Sequence, residues 1–180
     1  MEKTLTATRL IEKIHELRAG DSILLSGTVY TARDAAHKRF FELISKKEAL
    51  PFELKNSIIY YCGPCPAKKG EVVGSCGPTT SSRMDIYTPL LLSRGVKAMI
   101  GKGPRSEEVV EAIKENGAVY LVATGGIGAF LSKKVRHSSL VAFEDLGPEA
   151  IYKFEVVDFP VIVAIDANGN DIFGGVKGNE

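Results

Sequence analysis

Between residues 57 and 123, three short apolar runs (57–61, 96–100 and 118–123) alternate with segments of helical character. Runs of this length, bounded by glycine, proline and small polar residues, read as buried strands. Ser106 is placed to cap a helix with Val109, Val110 and Ile113 on its core face, and Gly117 ends it. Further strands are predicted outside this region. Residues 22–30 form one strand or a pair broken at Gly27, and residues 151–157 and 160–165 form two more. Asn168-Gly169 marks a hairpin turn after them. A short amphipathic helix over 8–18 turns Leu10, Ile11, Ile14 and Leu17 inward, with His15 exposed. Alternating strands and helices with strands clustered at both ends specify class α/β with a mixed sheet. At 180 residues and 44% hydrophobic the chain fits one well-buried domain, 1–180.

Chemistry concentrates in residues 74–85, Gly-Ser-Cys-Gly-Pro-Thr-Thr-Ser-Ser-Arg-Met-Asp. The Gly-Pro pair predicts a tight turn, and the four hydroxyl residues predict a helix start at Thr79. Thr79, Arg83, Ile86 and Leu90 then fall on one face, so the arginine heads an apolar stripe. Free N–H groups, hydroxyls and an arginine at a helix start make an anion site. A capped helix whose arginine pairs with a nearby carboxylate fits the same residues. The device recurs at Thr31-Ala-Arg33-Asp34-Ala-Ala-His37, where Arg33, His37, Phe40 and Ile44 share a face. Two such starts predict a shared pocket at one sheet edge. Lys102, between Gly101 and Gly103 at a strand end, has room to meet a ligand or to be a solvated turn residue. Thr124-Gly-Gly-Ile-Gly128 approaches a dinucleotide loop but has Leu131 where the last glycine belongs, so it reads as close packing of a following helix or a wall of the same pocket.

Cys62-Gly-Pro-Cys65 carries the sequence of a dithiol redox site, but such a site needs its first cysteine at the start of a helix. Pro66 and Ala-Lys-Lys-Gly-Glu follow without apolar period, so a loop with two incidental thiols is the expectation. With Cys76 they number three soft ligands, and no fourth is in sight. An odd number of cysteines argues against a disulfide framework, and the first residues lack the apolar core of a signal peptide; both point to a cytoplasmic protein. Lys plus Arg number 23 against 22 Asp plus Glu, which removes bulk-charge attraction to nucleic acid or membrane surfaces. No apolar run approaches the roughly 20 residues of a membrane span.

In order and spacing, Gly27-Thr28-Val-Tyr-Thr-Ala-Arg33-Asp-Ala-Ala-His37, Gly63-Pro64 with Pro66, Gly77-Pro-Thr-Thr-Ser-Ser-Arg83-Met-Asp85 and Gly101-Lys102-Gly103 resemble the β subunit, or equivalent C-terminal domain, of class I fumarases and L-tartrate dehydratases. The resemblance covers nearly the whole chain. It implies a swivelling β/β/α domain of three layers and iron–sulfur hydro-lyase chemistry. A [4Fe–4S] cluster would be bound by an α subunit and not by this chain, in an α2β2 assembly. It further implies that Arg33, Arg83 and Lys102 hold the substrate's carboxylates, that Thr80 adds a hydrogen bond, and that Thr79 is the catalytic candidate. His37 would orient Arg33 or a substrate carboxylate. Fumarate and L-tartrate both remain open as substrates, and a stand-alone redox or metal-binding module built on Cys62 and Cys65 is the rival of another class.

Overall fold

The computed structural model describes residues 2–124 and 126–174, so Gly125 of the glycine-rich loop lies outside the described residues. Strand β1 (Glu2–Thr6) leads into helix α1 (Ala7–Glu12), which Thr6 caps by accepting the Arg9 N–H. A 3-10 turn, Ile14–Glu16, follows, so the helix predicted over 8–18 is split in two. Next come β2 (Ser22–Thr31), α2 (Asp34–Ser45), β3 (Ile58–Tyr60), α3 (Thr88–Ser93), β4 (Ala98–Gly101) and α4 (Glu107–Asn116). The chain continues through β5 (Val119–Val122), α5 (Gly128–Ser132), β6 (Val135–Ala142) and β7 (Ile151–Ile165).

Strands β2, β3, β4 and β5 lie parallel in that order, and β7 runs antiparallel to both β5 and β2. The five strands therefore close on themselves, with β1 added outside β2 and β6 outside β7. Closure requires a long, bent strand. The two tail strands of the sequence reading are one continuous β7 of 15 residues, turned at Asp158, whose φ is 49°. Opposite that bend β2 shifts register between Leu25 and Gly27, and the Asp158 N–H donates to Ser26 Oγ at 3.0 Å. A bulge with Gly27 at φ 125° thus stands in place of a break, and of the two readings of this run the single strand is the one found.

Strand alternation divides the core. Ile23, Leu25, Ile58, Tyr60, Ala98, Ile100, Val119, Leu121, Val161 and Val163 come from all five ring strands and pack together, so they fill the ring's interior. Leu10, Ile14 and Leu17 join the same cluster. The alternate residues, Ile59, Tyr61, Met99, Tyr120 and Ala164, face outward and receive Phe40 of α2, Leu91 and Leu92 of α3, and Val109 and Ile113 of α4. Helix α4 has its predicted ends, with Ser106 Oγ accepting the Val109 N–H and Gly117 in the left-handed conformation. The Asn168-Gly169 turn forms, with Asp166 Oδ1 accepting from both the Asn168 and Asn170 N–H groups, but the hairpin beyond it shrinks to one bridge between Ile165 and Asp171.

Candidate active site at the strand ends

The carboxyl ends of the parallel strands deliver four of the sequence-predicted residues to one end of the ring, where ligands of open α/β sheets bind. After β2, Ala32 continues the pairing through its N–H to the Tyr60 carbonyl, and Arg33 follows. After β3, the Tyr61 carbonyl accepts the Thr79 N–H at 2.7 Å. After β4, Lys102 forms a parallel bridge with Thr80. Segment 79–81 thus lies across the ends of β3 and β4, and brings Thr79 and Thr80 beside Lys102.

Ser81 secures this arrangement. Its N–H donates to the Lys102 carbonyl at 3.0 Å and its hydroxyl accepts the Lys102 N–H at 3.1 Å. Tyr120 Oη lies 2.8 Å from both Ser81 Oγ and the Gly103 carbonyl. A phenol has one proton and a carbonyl only accepts, so the complete pattern runs from Lys102 N–H to Ser81, from Ser81 to Tyr120 and from Tyr120 to Gly103. The missing side chain of Gly101 makes room, because a Cβ there would fall 1.9 Å from Ser81 Oγ.

Arg33 and Arg83 line a cleft of about 490 Å³ with Asp34, Lys38, Tyr87 and Glu149. Arg33 passes over Gly63, whose absent Cβ would meet Arg33 Cδ at 2.8 Å. Its carboxylate neighbours are distant, at 3.6 Å for Asp34 and 3.7 Å for Glu149, and its buried Nε has no hydrogen-bond partner among the described residues. Arg83 and Lys102 are exposed, and neither forms an ion pair among the described residues. Among the described residues, Arg33 thus has two loose ion pairs, and Arg83 and Lys102 have none.

His37 is fully buried in the first turns of α2. Its Nδ1–H donates to the Arg33 carbonyl at 2.8 Å, which leaves Nε2 as an unprotonated acceptor with no partner among the described residues. The ring packs edge-on against Tyr61 at 5.3 Å. Burial lowers its pKa from the ordinary 6.5 to about 4, against the opposing pull of the Arg33 carbonyl and with a further push from the Arg105 charge. It is a neutral side chain anchoring the backbone of Arg33, closed off from solvent.

Two local expectations are overturned. Residues 79–90 form no single helix: a 3-10 turn, Ser81–Met84, is followed by α3, which starts afresh with Pro89 in its first turn. The buried positions are Ser81, Met84, Thr88, Leu91 and Leu92, so the apolar stripe runs one residue out of phase with the predicted one. Ile86 is 79% exposed and Arg83 faces solvent. The second helix start is not hydroxyl-capped either. Arg33 occupies the cap position without a side-chain bond, and the Thr31 hydroxyl instead accepts the Tyr152 N–H of β7 at 3.0 Å. Neither predicted helix start therefore offers a hydroxyl-capped end, and the positive charge here comes from side-chain cations.

The sequence reading missed Arg105. It is the arginine that does lie in an apolar setting with an anionic partner: Nε donates to Asp85 Oδ1 at 2.6 Å and Nη2 to Thr88 Oγ1 at 2.7 Å. Its signal was present in Gly103-Pro104-Arg105, where a rigid turn directs the next side chain back under the strands.

Residues 62–65 form a loop, as the sequence indicated. Cys62 and Cys76 are buried and Cys65 is exposed. Burial, reinforced by neighbouring Cys76, pushes the Cys62 thiol well above its ordinary pKa, the opposite of an activated redox thiol. Among the described residues no group of three or more His, Cys, Asp or Glu side chains is placed to hold a metal ion. No helix among the described residues is long and apolar enough to cross a membrane.

A family profile described as "Fumarase C-terminus" matches residues 2–176. The chain is 41% identical over 179 residues to the putative L(+)-tartrate dehydratase subunit beta of Methanocaldococcus jannaschii, covering 92% of that protein. It is 40% identical over 164 residues to fumarate hydratase 2 of Leishmania major and 40% over 166 residues to the anaerobic class I fumarate hydratase of Escherichia coli. The matches take in 90% and 91% of this chain but only 29% and 30% of those two enzymes, so it spans under a third of their length.

Proposed function

From the premise that the chain belongs to the fumarase C-terminus family, we propose that it is the β component of a hydro-lyase that reversibly hydrates fumarate to L-malate. In this reading the domain is of the swivelling β/β/α type and works with an α subunit in an α2β2 assembly. The reading assigns the [4Fe–4S] group to that partner, and the split of the three cysteines into buried Cys62 and Cys76 and exposed Cys65 supports it.

The observation that carries the proposal is that Arg33 and Arg83 line one cleft, while Lys102 pairs with Thr80 three residues before Arg83, with only loose ion pairs at Arg33 and none at Arg83 or Lys102 among the described residues. A dicarboxylate needs about two cationic holders, and an arginine fork matches a carboxylate in plane. Arg33 and Arg83 face a common cleft, and Lys102 adjoins Thr79 and Thr80. Thr80 then donates a hydrogen bond to the bound carboxylate. Thr79 Oγ1 is the candidate acceptor of the carbon-bound proton. A threonine hydroxyl is basic only where a positive field stabilises its alkoxide, and Arg83 and Lys102 supply that field. His37 acts from behind by fixing the Arg33 carbonyl, hence where the guanidinium projects.

L-tartrate dehydration is the second reading, favoured by the near full-length match to a tartrate dehydratase beta subunit. A redox module built on Cys62 is disfavoured by the burial of that thiol. The deciding experiment is anaerobic reconstitution of the chain with its α partner, iron and sulfide, offering fumarate or L-tartrate. Loss of fumarate that requires both proteins is the expected result, and turnover of L-tartrate alone selects the second substrate. Activity of the chain by itself, or of neither substrate with both proteins present, would overturn the half-site reading.

A further inference from the structure

The buried guanidinium of Arg105 is expensive to maintain. Its side chain has no exposed surface, and Nη1 finds no hydrogen-bond partner among the described residues. The plane lies 4.8 Å from the Tyr120 ring and 5.2 Å from the Tyr61 ring. Well-packed apolar side chains commonly stabilise a fold as well as a buried ion pair does, so stability alone is a weak reason for this one. Its location supplies another. Asp85 stands two residues after Arg83, and Arg105 three after Lys102. The Arg105–Asp85 pair and the Ser106 N–H, which donates to the other Asp85 oxygen at 2.8 Å, join the bases of the two segments. Ser81 joins their upper ends through both of its bonds to Lys102. Two ties at different heights make segments 81–85 and 102–106 one body.

We propose that Arg105 is a positioning residue that fixes the separation between Arg83 and Lys102, so that the two cations grip both ends of a rigid dicarboxylate. This deepens the hydro-lyase reading and rests on it. Arg83 and Lys102 both project into solvent, so their separation is set by their segments, which Ser81 ties at one end and the Arg105–Asp85 pair at the other. A monocarboxylate occupies a single holder and is indifferent to that distance.

The test compares two ligands in the reconstituted complex: the KM of whichever dicarboxylate turns over, fumarate or L-tartrate, and the inhibition constant of acrylate, which has one carboxylate. Arg105→Lys keeps the charge but loses the fork. Its dicarboxylate kcat/KM is expected to fall about 100-fold, the scale of a roughly 1 Å misplacement, while acrylate inhibition changes less than about threefold and melting stays within a few degrees. In an Arg83→Ala background the same substitution should cost nothing further, because the distance it sets no longer matters. Parallel loss of both ligands, or additive loss in the double variant, would show a merely structural role and overturn the proposal. Should Arg105→Lys fail to fold, Asp85→Asn is read by the same two criteria. An Arg83→Ala variant with unchanged kcat/KM would instead remove the dicarboxylate reading, leaving the two failures distinguishable.

Discussion

His37 shows how one buried side chain ties stability to pH. The folded chain holds the neutral ring, with a pKa of about 4 against 6.5 for the exposed group. Between these values the unfolded chain binds a proton that the folded chain refuses. The ring's contribution is therefore complete above about pH 6.5, declines as pH falls and levels off below about 4. The Arg105 charge lowers the pKa, and the Arg33 carbonyl and Asp34 raise it less than burial depresses it. In urea unfolding, the wild-type chain should lose about 2 kcal/mol more than His37→Phe between pH 7 and pH 5; equal losses would place the ring's proton elsewhere. Arg83 is the contrasting case, a solvent-facing cation without an ion pair among the described residues. Replacing such a side chain changes stability by about 0.5 kcal/mol or less. Arg83→Ala is expected to melt like wild type yet lower kcat/KM in the reconstituted complex about 100-fold, equivalent to roughly 2.7 kcal/mol.

At the scale of elements, the connections after β3 and β4 do the positioning, and Gly101 is where they touch. A methyl group there would meet Ser81 Oγ at 1.9 Å and Tyr61 Cδ2 at 2.8 Å, so one segment must move. Gly101→Ala is expected to cost roughly 1–3 kcal/mol by overpacking and to lower activity beyond what its melting temperature explains, because Ser81 is the tie that gives. Full activity with a lowered melting temperature would detach Ser81 from the site. The same region marks what a sequence can disclose. Strand runs such as 118–123 and the Ser106–Gly117 helix were legible because period and caps are local. Ring closure was not, since the pairing of β7 with both β2 and β5 is written in no local pattern. The helix expected from Thr79 failed for a related reason. A stripe one residue out of phase reads equally well, and the choice fell to Thr88 packing with Tyr61 and Arg105 from other segments. Arg33, Thr79, Thr80, Arg83 and Lys102 stand out in the sequence by their motifs, whereas Gly103-Pro104-Arg105 signals only a turn, and the burial of Arg105 against Asp85 and Thr88 is disclosed by the fold.

For the whole molecule, the end of the ring that carries the cations also carries exposed apolar surface. Ile86 is 79% exposed and Phe41 47%, flanking Tyr87 at the edge of the cleft. In the proposed assembly this rim meets the α subunit, and Ile86→Asp is expected to weaken co-purification with that partner at least tenfold without changing the melting of the free chain. Undiminished association would move the interface to another face. Ring closure has a kinetic meaning as well. The bonds that β7 makes with β2, Thr28 to Glu155 and Asp158 to Ser26, join residues 127 and 132 positions apart. Contacts so distant along the chain repay their loop entropy late. During synthesis, β2 to β5 emerge before the strand that pairs with both outer members of their row, so for that interval the nascent chain shows two open edges that the finished ring conceals.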